Sequence, residues 1–264
     1  MKLNLSERLR VMAEFAKADD VVADIGTDHG YLPIWLLQNK RCKSVILTDI
    51  NKGPLEKAYF NIKKYLGKAE ADLRQGNGLS VLNKGEVDTV IIAGMGGMLI
   101  KKILKADADI ISDLKRIILQ PHRDVKILRE YLINSGNFII IDERVVKERE
   151  KYSEIIVAVP VGCECEIDEK FLLYKEKTLK LANKSNLPKN FFMEFPELYL
   201  CGDKECKALL KYRLRGSMLI RDSIINKAGT EEAALRLSYI ENRIKNIKEF
   251  IKIQEMYSDN LIDS

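Results

Sequence analysis

Two glycine-rich turns and two acids carry the chemistry legible in this sequence. The first turn is Asp24-Ile25-Gly26-Thr27-Asp28-His29-Gly30. It follows an apolar run and precedes a helical pattern. Gly26 permits a tight turn, and Gly30 lets the next helix pack close to the strand. N–H groups at that helix start suit a carboxylate. Asp24, at the strand end, is placed to accept from an amino group. A ligand with a carboxylate and an amine at one end, such as S-adenosylmethionine, answers both. A dinucleotide fold needs G-x-G-x-x-G around a pyrophosphate. Asp28 stands at the second of those glycine positions and would repel it. The loop therefore favours the methyl donor over NAD. A plain strand-to-helix turn is the competing reading.

Three further loops fit the same ligand. Asp49-Ile50 ends the second strand about twenty residues on, where an acid takes both ribose hydroxyls. NAD enzymes use that device too, and Asp49 can equally cap the helix beginning near Pro54. Gly76-Asn77-Gly78 is a short polar loop that can lie along an adenine ring, with Asn77 reaching its amine. It also reads as an ordinary turn. Ala93-Gly94-Met95-Gly96-Gly97 ends the fourth strand, with three glycines in four residues. That density lets backbone approach a flat ring closely. In a methyltransferase this loop faces the sulfonium methyl and the acceptor. Each loop alone is a weak signal. Their agreement after four successive strands is a strong one.

The elements that must position these loops alternate. Strands are predicted at 21–25, 44–49, 71–75, 89–93 and 116–120. Helices fall between them at 31–38, 54–66 and from 99, with another at 125–135. A capping box at Asn4 and Glu7 predicts a short first helix. Two antiparallel strands are predicted at 138–146 and 152–159. This is an α/β pattern with a mostly parallel, doubly wound Rossmann-like sheet, and ligands bind at the carboxyl ends of its strands. A cofactor domain is expected over 1–165 and a helical domain over 166–264. In the latter, helices at 204–227 and 231–256 flank Ala228-Gly229-Thr230. Ala233, Leu237, Ile240, Ile244, Ile247 and Ile251 recur at spacings of four and three, which predicts a coiled-coil hairpin.

The run Ala23-Asp24-Ile25-Gly26-Thr27-Asp28-His29-Gly30-Tyr31-Leu32-Pro33 goes beyond a generic loop. With Thr48-Asp49-Ile50-Asn51-Lys52-Gly53-Pro54-Leu55, Gly76-Asn77-Gly78-Leu79, Ile91-Ile92-Ala93-Gly94-Met95-Gly96-Gly97 and Leu119-Gln120-Pro121, it resembles the bacterial TrmK family. Those are tRNA adenine N1-methyltransferases acting at position 22. The resemblance implies S-adenosyl-L-methionine as donor, tRNA as partner and a C-terminal coiled coil. The Asn-Pro-Pro-Tyr tetrad of many amino-methylating enzymes is absent, which suits a ring-nitrogen acceptor. Adenine N1 has an in-plane lone pair and loses no proton before attack, so positioning and charge can carry the catalysis. Asp28, His29 and Tyr31 are the catalytic candidates. Tyr31 would stack on or hydrogen-bond the flipped base, and Asp28 or His29 would orient it or manage its proton. Alternative readings are another methyl acceptor, a non-catalytic RNA-binding adaptor or an NAD oxidoreductase.

A net charge of +5 over 264 residues permits a polyanion such as RNA without requiring one. Arg8, Arg10, His122 and Arg123, and Lys207, Lys211, Arg213, Arg215 and Arg221 in the tail, are candidate phosphate contacts. A solvated helix face is the plainer reading of the tail cations. The five cysteines lack zinc spacing, so no metal is expected. The charged N-terminus and the lack of a long apolar run predict a cytoplasmic chain without membrane attachment. No DNA partner is expected, and the oligomeric state is open, with a monomer favoured.

Overall fold

The computed structural model describes residues 1–67, 71–163, 167, 169–201, 203–226 and 230–259. The chain divides into two compact units, Met1–Ile167 and Asp168–Ser264. The expected boundary at 165/166 lies outside the described residues, as do Ala228 and Gly229 of the predicted interhelical turn.

The first unit is a seven-stranded sheet. Its strands are β1 (Val21–Ile25), β2 (Ser44–Asp49), β3 (Asp72–Gln75), β4 (Thr89–Gly96), β5 (Arg116–Arg123), β6 (Phe138–Glu148) and β7 (Lys151–Pro160), in the spatial order β3-β2-β1-β4-β5-β7-β6. The first five are parallel, and β7 enters antiparallel between β5 and β6. Chain order reverses between β1 and β4, so a switch-point crevice opens at their carboxyl ends. The helices are α1 (Glu7–Glu14), α2 (Tyr31–Gln38), α3 (Lys52–Leu66), α4 (Gly97–Ala106), α5 (Ala108–Ile111) and α6 (Val125–Asn134).

The alternation of apolar side chains builds a core on each face of the sheet. Ala23, Ile25, Ile46, Val90, Ile92, Ile117 and Leu119 pack with Ile100 and Leu104 of α4 and Leu128 and Leu132 of α6. Val22, Val45, Leu47, Ile91 and Ile118 pack with Met12, Leu32, Ile34, Leu36, Ala58 and Ile62 on the other face. The predicted capping box does not form. Helix α1 starts after Ser6, which makes no side-chain cap bond, and Glu7 pairs with Arg10 instead. An ion cluster joins α6 to β6 and β7. Arg129 Nε donates to Glu143 (2.8 Å) and its Nη2 to Glu154 (3.1 Å), all three side chains being buried.

The second unit is helical: α7 (Glu169–Lys184), two 3-10 turns (Lys189–Met193 and Glu197–Cys201), α8 (Lys204–Ile225) and α9 (Glu231–Asp259). Thr230 Oγ1 caps α9 by accepting from the Ala233 N–H. Helices α8 and α9 run antiparallel, since Ser217 faces Arg243 and Lys211 faces Glu255. Ile224, Ile240 and Ile244 pack with Leu214, Met218, Ala233 and Leu237, following the predicted spacing. Beyond Ile247 the buried stripe moves to Phe250 and Gln254, leaving Ile251 half-exposed. The cause is aromatic. Phe250 packs against Phe191, Phe192 and Phe195 from the segment before α8. That segment and α7 make this more than a hairpin. Among the described residues no helix is long and apolar enough to cross a membrane.

Candidate active site

The crevice is built by four loops, three tied through their backbones and the fourth by a side chain. After β1, Gly26 turns with φ +75°, and the N–H groups of Gly26 (2.8 Å) and Thr27 (2.9 Å) both donate to the Thr48 carbonyl of β2. After β3, the Gly76 N–H donates to the Asp49 carbonyl (2.9 Å). After β4, the Met95 side chain lies over Gly26, where any Cβ would collide with its methyl. Gly30, with φ +67°, has Leu47 and Ala58 so close that helix α3 packs against the turn itself. A bulky Gly76 would meet Val81, and Gly78 lies against Ile103.

Two acids converge here. Asp24 is buried at the end of β1, and burial, aided by the charge of Asp49, pushes its carboxyl up to about 6, with the Thr27 hydroxyl opposing. Such a site holds an anion poorly and welcomes a cation. Asp49 Oδ1 accepts from the Asn51 N–H (2.7 Å). That bond fixes the carboxylate across the turn, and Asn51, not Asp49, occupies the cap position of α3. Beside it Ile50 is 59% exposed, an apolar surface at a strand end where a planar ring can lie. Asn77 is exposed, and its carbonyl takes the Ser80 hydroxyl (2.7 Å). These donor types suit an amino acid joined to a ribose and an adenine.

Asp28, His29 and Tyr31 form a surface cluster where β1 passes into α2. His29 Nε2 lies 3.1 Å from Asp28, whose other oxygen takes Lys57 of α3 (3.2 Å). The rings of His29 and Tyr31 are stacked at 5.2 Å and 9°. Asn61 of α3 donates to the His29 carbonyl (2.9 Å), which holds the loop. Tyr31 remains 38% exposed.

The loop Ala93-Gly94-Met95-Gly96 is gripped by residues whose role the sequence did not reveal. Register breaks between Ala93 and Met95, with Gly94 at φ +72°. Its N–H donates to Gln120 Oε1 (3.1 Å), and its carbonyl faces His122 Nδ1 (2.9 Å). Gln120 is buried, gives its own N–H to the Pro121 carbonyl and takes Arg8 Nη1 (2.6 Å). The Arg8 N–H donates to Glu148 of β6 (2.7 Å). Arg8 is thus committed inward rather than to a phosphate, and Arg10 pairs with Glu7 and Glu14 on its own helix. The readable signal was a glutamine inside an otherwise apolar buried strand. Gly97 has no room for a side chain beside the Asp124 carbonyl, and a Cβ at Gly96 would press on the flexible Arg123 side chain. Among the described residues no cluster of His, Cys, Asp or Glu could hold a metal ion.

Comparison with known proteins agrees with this geometry. A family model described as a methyltransferase domain matches residues 5–156. The tRNA (adenine(22)-N(1))-methyltransferase of Bacillus subtilis (strain 168) is 32% identical over 252 residues, which cover 95% of this chain and 98% of that protein. The crystal structure of the B. subtilis M1A22 tRNA methyltransferase TrmK superposes with a TM-score of 0.76 at 30% identity, covering 95% of this chain and all of that one. The M. capricolum TrmK complex with S-adenosyl-homocysteine superposes at 0.72 and 26% identity, covering 94% and 98%. The chain belongs to the methyltransferase-domain family and, within it, to the TrmK tRNA (adenine-N1)-methyltransferases.

Proposed function

We propose that this chain transfers a methyl group from S-adenosyl-L-methionine to N1 of adenine 22 in tRNA. The observation that carries the reading is the crevice between β1 and β4, with buried Asp24 short of a cationic partner. Bound there, S-adenosyl-L-methionine supplies an electrophilic methyl on a sulfonium. In this reading Asp24 accepts from its ammonium, the Gly26–Gly30 turn receives its carboxylate, and Asp49 takes the ribose hydroxyls through Oδ2. Ile50, with Gly76, Asn77 and Gly78, lines the adenine. Ala93, Gly94, Met95 and Gly96 shape the wall against which the methyl is presented.

The acceptor enters beside Tyr31. A ring nitrogen with a lone pair needs alignment more than a base. Tyr31, backed by His29, stacks on the flipped adenine, and Asp28 fixes His29. The developing charge on the base is met by nearby dipoles and carboxylates. A Watson–Crick edge atom must be unpaired to be reached, so the RNA is held open around the site. The outer face of α3, whose Lys57 and Asn61 hold the Asp28-His29 loop, supports RNA docking. It exposes Tyr59 and Phe60 among Lys52, Lys63 and Lys64. Exposed rings among cations suit unpaired bases and phosphates. The tail cations Arg215 and Lys211 are exposed and can add phosphate contacts. The protein acts in the cytoplasm, where its substrate is.

Incubation with labelled donor and unmodified tRNA tests this. Label recovered as 1-methyladenosine supports the reading. Donor binding without turnover on any tRNA would favour a non-catalytic adaptor.

A further inference from the structure

We propose that His122 recognises the acceptor adenine through its exocyclic amine. The proposal rests on the methylation of adenine N1 argued above. His122 Nδ1 lies 2.9 Å from the Gly94 carbonyl. A carbonyl only accepts, so Nδ1 must carry the proton. In the neutral ring Nε2 is then a bare acceptor, held in that state by its neighbour. Nε2 lies across Cε1 from Nδ1 with its lone pair directed away from it, and the side chain is exposed, so this acceptor is presented away from Gly94 and no described residue occupies it. Gly94 belongs to the loop assigned to the methyl and the acceptor, and its exposed, left-handed backbone leaves open space where a Cβ would stand.

The chemistry fits adenine. Adenine shows an amine donor at C6 beside the N1 lone pair. Guanine shows a carbonyl oxygen at C6 and a proton on N1, so its oxygen would face Nε2 lone pair to lone pair. As N1 attacks, the N1–C bond forms and the S–C bond breaks with its electron pair passing to sulfur. Positive charge then spreads onto the adenine and polarises the amine N–H. The bond to Nε2 therefore strengthens in the transition state, where it accelerates the reaction. The proton stays on the amine, and the base leaves as the methylated cation. His122 thus both selects the base and stabilises the charge, while its Nδ1–H positions Gly94.

The test uses full-length protein and tRNA transcripts carrying either adenosine or purine riboside, which lacks the amine, at position 22. Wild type, His122→Ala and His122→Asn are compared. Asparagine can still donate to Gly94 but presents no acceptor at the Nε2 position. For wild type, loss of the amine should lower kcat/KM about tenfold, the size of one well-placed hydrogen bond. Both variants should lose about tenfold on adenosine and little more on purine riboside. For His122→Asn, which keeps the bond to Gly94, the rise in melting temperature with S-adenosylhomocysteine should be unchanged, which shows that the fold and the donor site remain. If removing the amine costs the variants as much as wild type, His122 acts only on Gly94 and the proposal is overturned. If the variants match wild type on adenosine, it is overturned as well. If wild type makes no 1-methyladenosine on the adenosine transcript, the underlying reading fails instead.

Discussion

Replacing Asp24 with asparagine should strengthen the fold while destroying the donor site. Asp24 is buried at a strand end with Asp49 nearby, and its pKa is raised from 3.8 to about 6. The native protein therefore holds this proton up to about pH 6, whereas the unfolded chain releases it near 3.8. Stability falls as pH rises across that window, and the penalty is complete above it. A displacement of that size corresponds to about 3 kcal/mol at pH 7. Asparagine is nearly isosteric and carries no charge. In a domain of this size it should raise the ligand-free melting temperature by roughly 6–12 °C at pH 7. Well below pH 3.8 the two proteins should melt together, because Asp24 is then neutral in both states. S-adenosylhomocysteine at 100 times its Kd should stabilise the wild type by about 2.7 kcal/mol and the variant by far less. Scanning fluorimetry across pH, with and without the ligand, reads all three outcomes. An asparagine variant that melts below wild type at pH 7 without ligand, or that responds equally to the ligand, would refute the reasoning.

Tyr31→Ala should lower kcat at least tenfold while the Kd for S-adenosylhomocysteine stays within twofold, since its exposed face is assigned to the base; equal losses in both would remove that role. Arg129→Met should cost about 3–5 kcal/mol in chemical denaturation, because Glu143 and Glu154 would stay buried without their cation. Adding Glu143→Gln and Glu154→Gln to that variant should recover much of the loss, and failure to recover would assign the cost to packing. Tyr59→Ala with Phe60→Ala should weaken tRNA binding without altering its salt slope. Lys63→Glu with Lys64→Glu should weaken binding and flatten the slope. Filter binding at several salt concentrations separates the two pairs, and unchanged affinity in both would clear α3 of RNA contact.

Periodicity carried most of the fold into view, because four of the five parallel strands contain a β-branched apolar run; β3 (Asp72–Gln75) has none, and β5 continues past Pro121 to Arg123 where the sequence predicted it to stop. Val21–Ile25 and Ser44–Asp49 lie where the pattern puts them. The Gly26, Asp49 and Gly94 loops stood out because they follow successive strands in the order of one groove, although each alone also reads as a turn or a cap. What stayed hidden was relational. Gln120 gives no sign in the sequence of reaching the Gly94 N–H, twenty-six positions away. Arg8 resembles any exposed cation until β6 brings Glu148 beside it. The drift from Ile251 to Phe250 and Gln254 follows from the phenylalanines at 191, 192 and 195, and heptad spacing within α9 contains no trace of them. The failed capping box shows the limit of local rules. Glu7 had a stronger partner in Arg10 than in a backbone N–H.

The central claim is that the crevice at β1 and β4 delivers a methyl group to one adenine nitrogen of tRNA. The most direct measurement is nucleoside mass spectrometry of unmodified tRNA treated with protein and labelled donor, run beside a transcript in which adenine 22 is replaced by guanine. The account predicts one 1-methyladenosine per tRNA in the first and none in the second. Label in any other nucleoside, or 1-methyladenosine that persists in the guanine transcript, would contradict it.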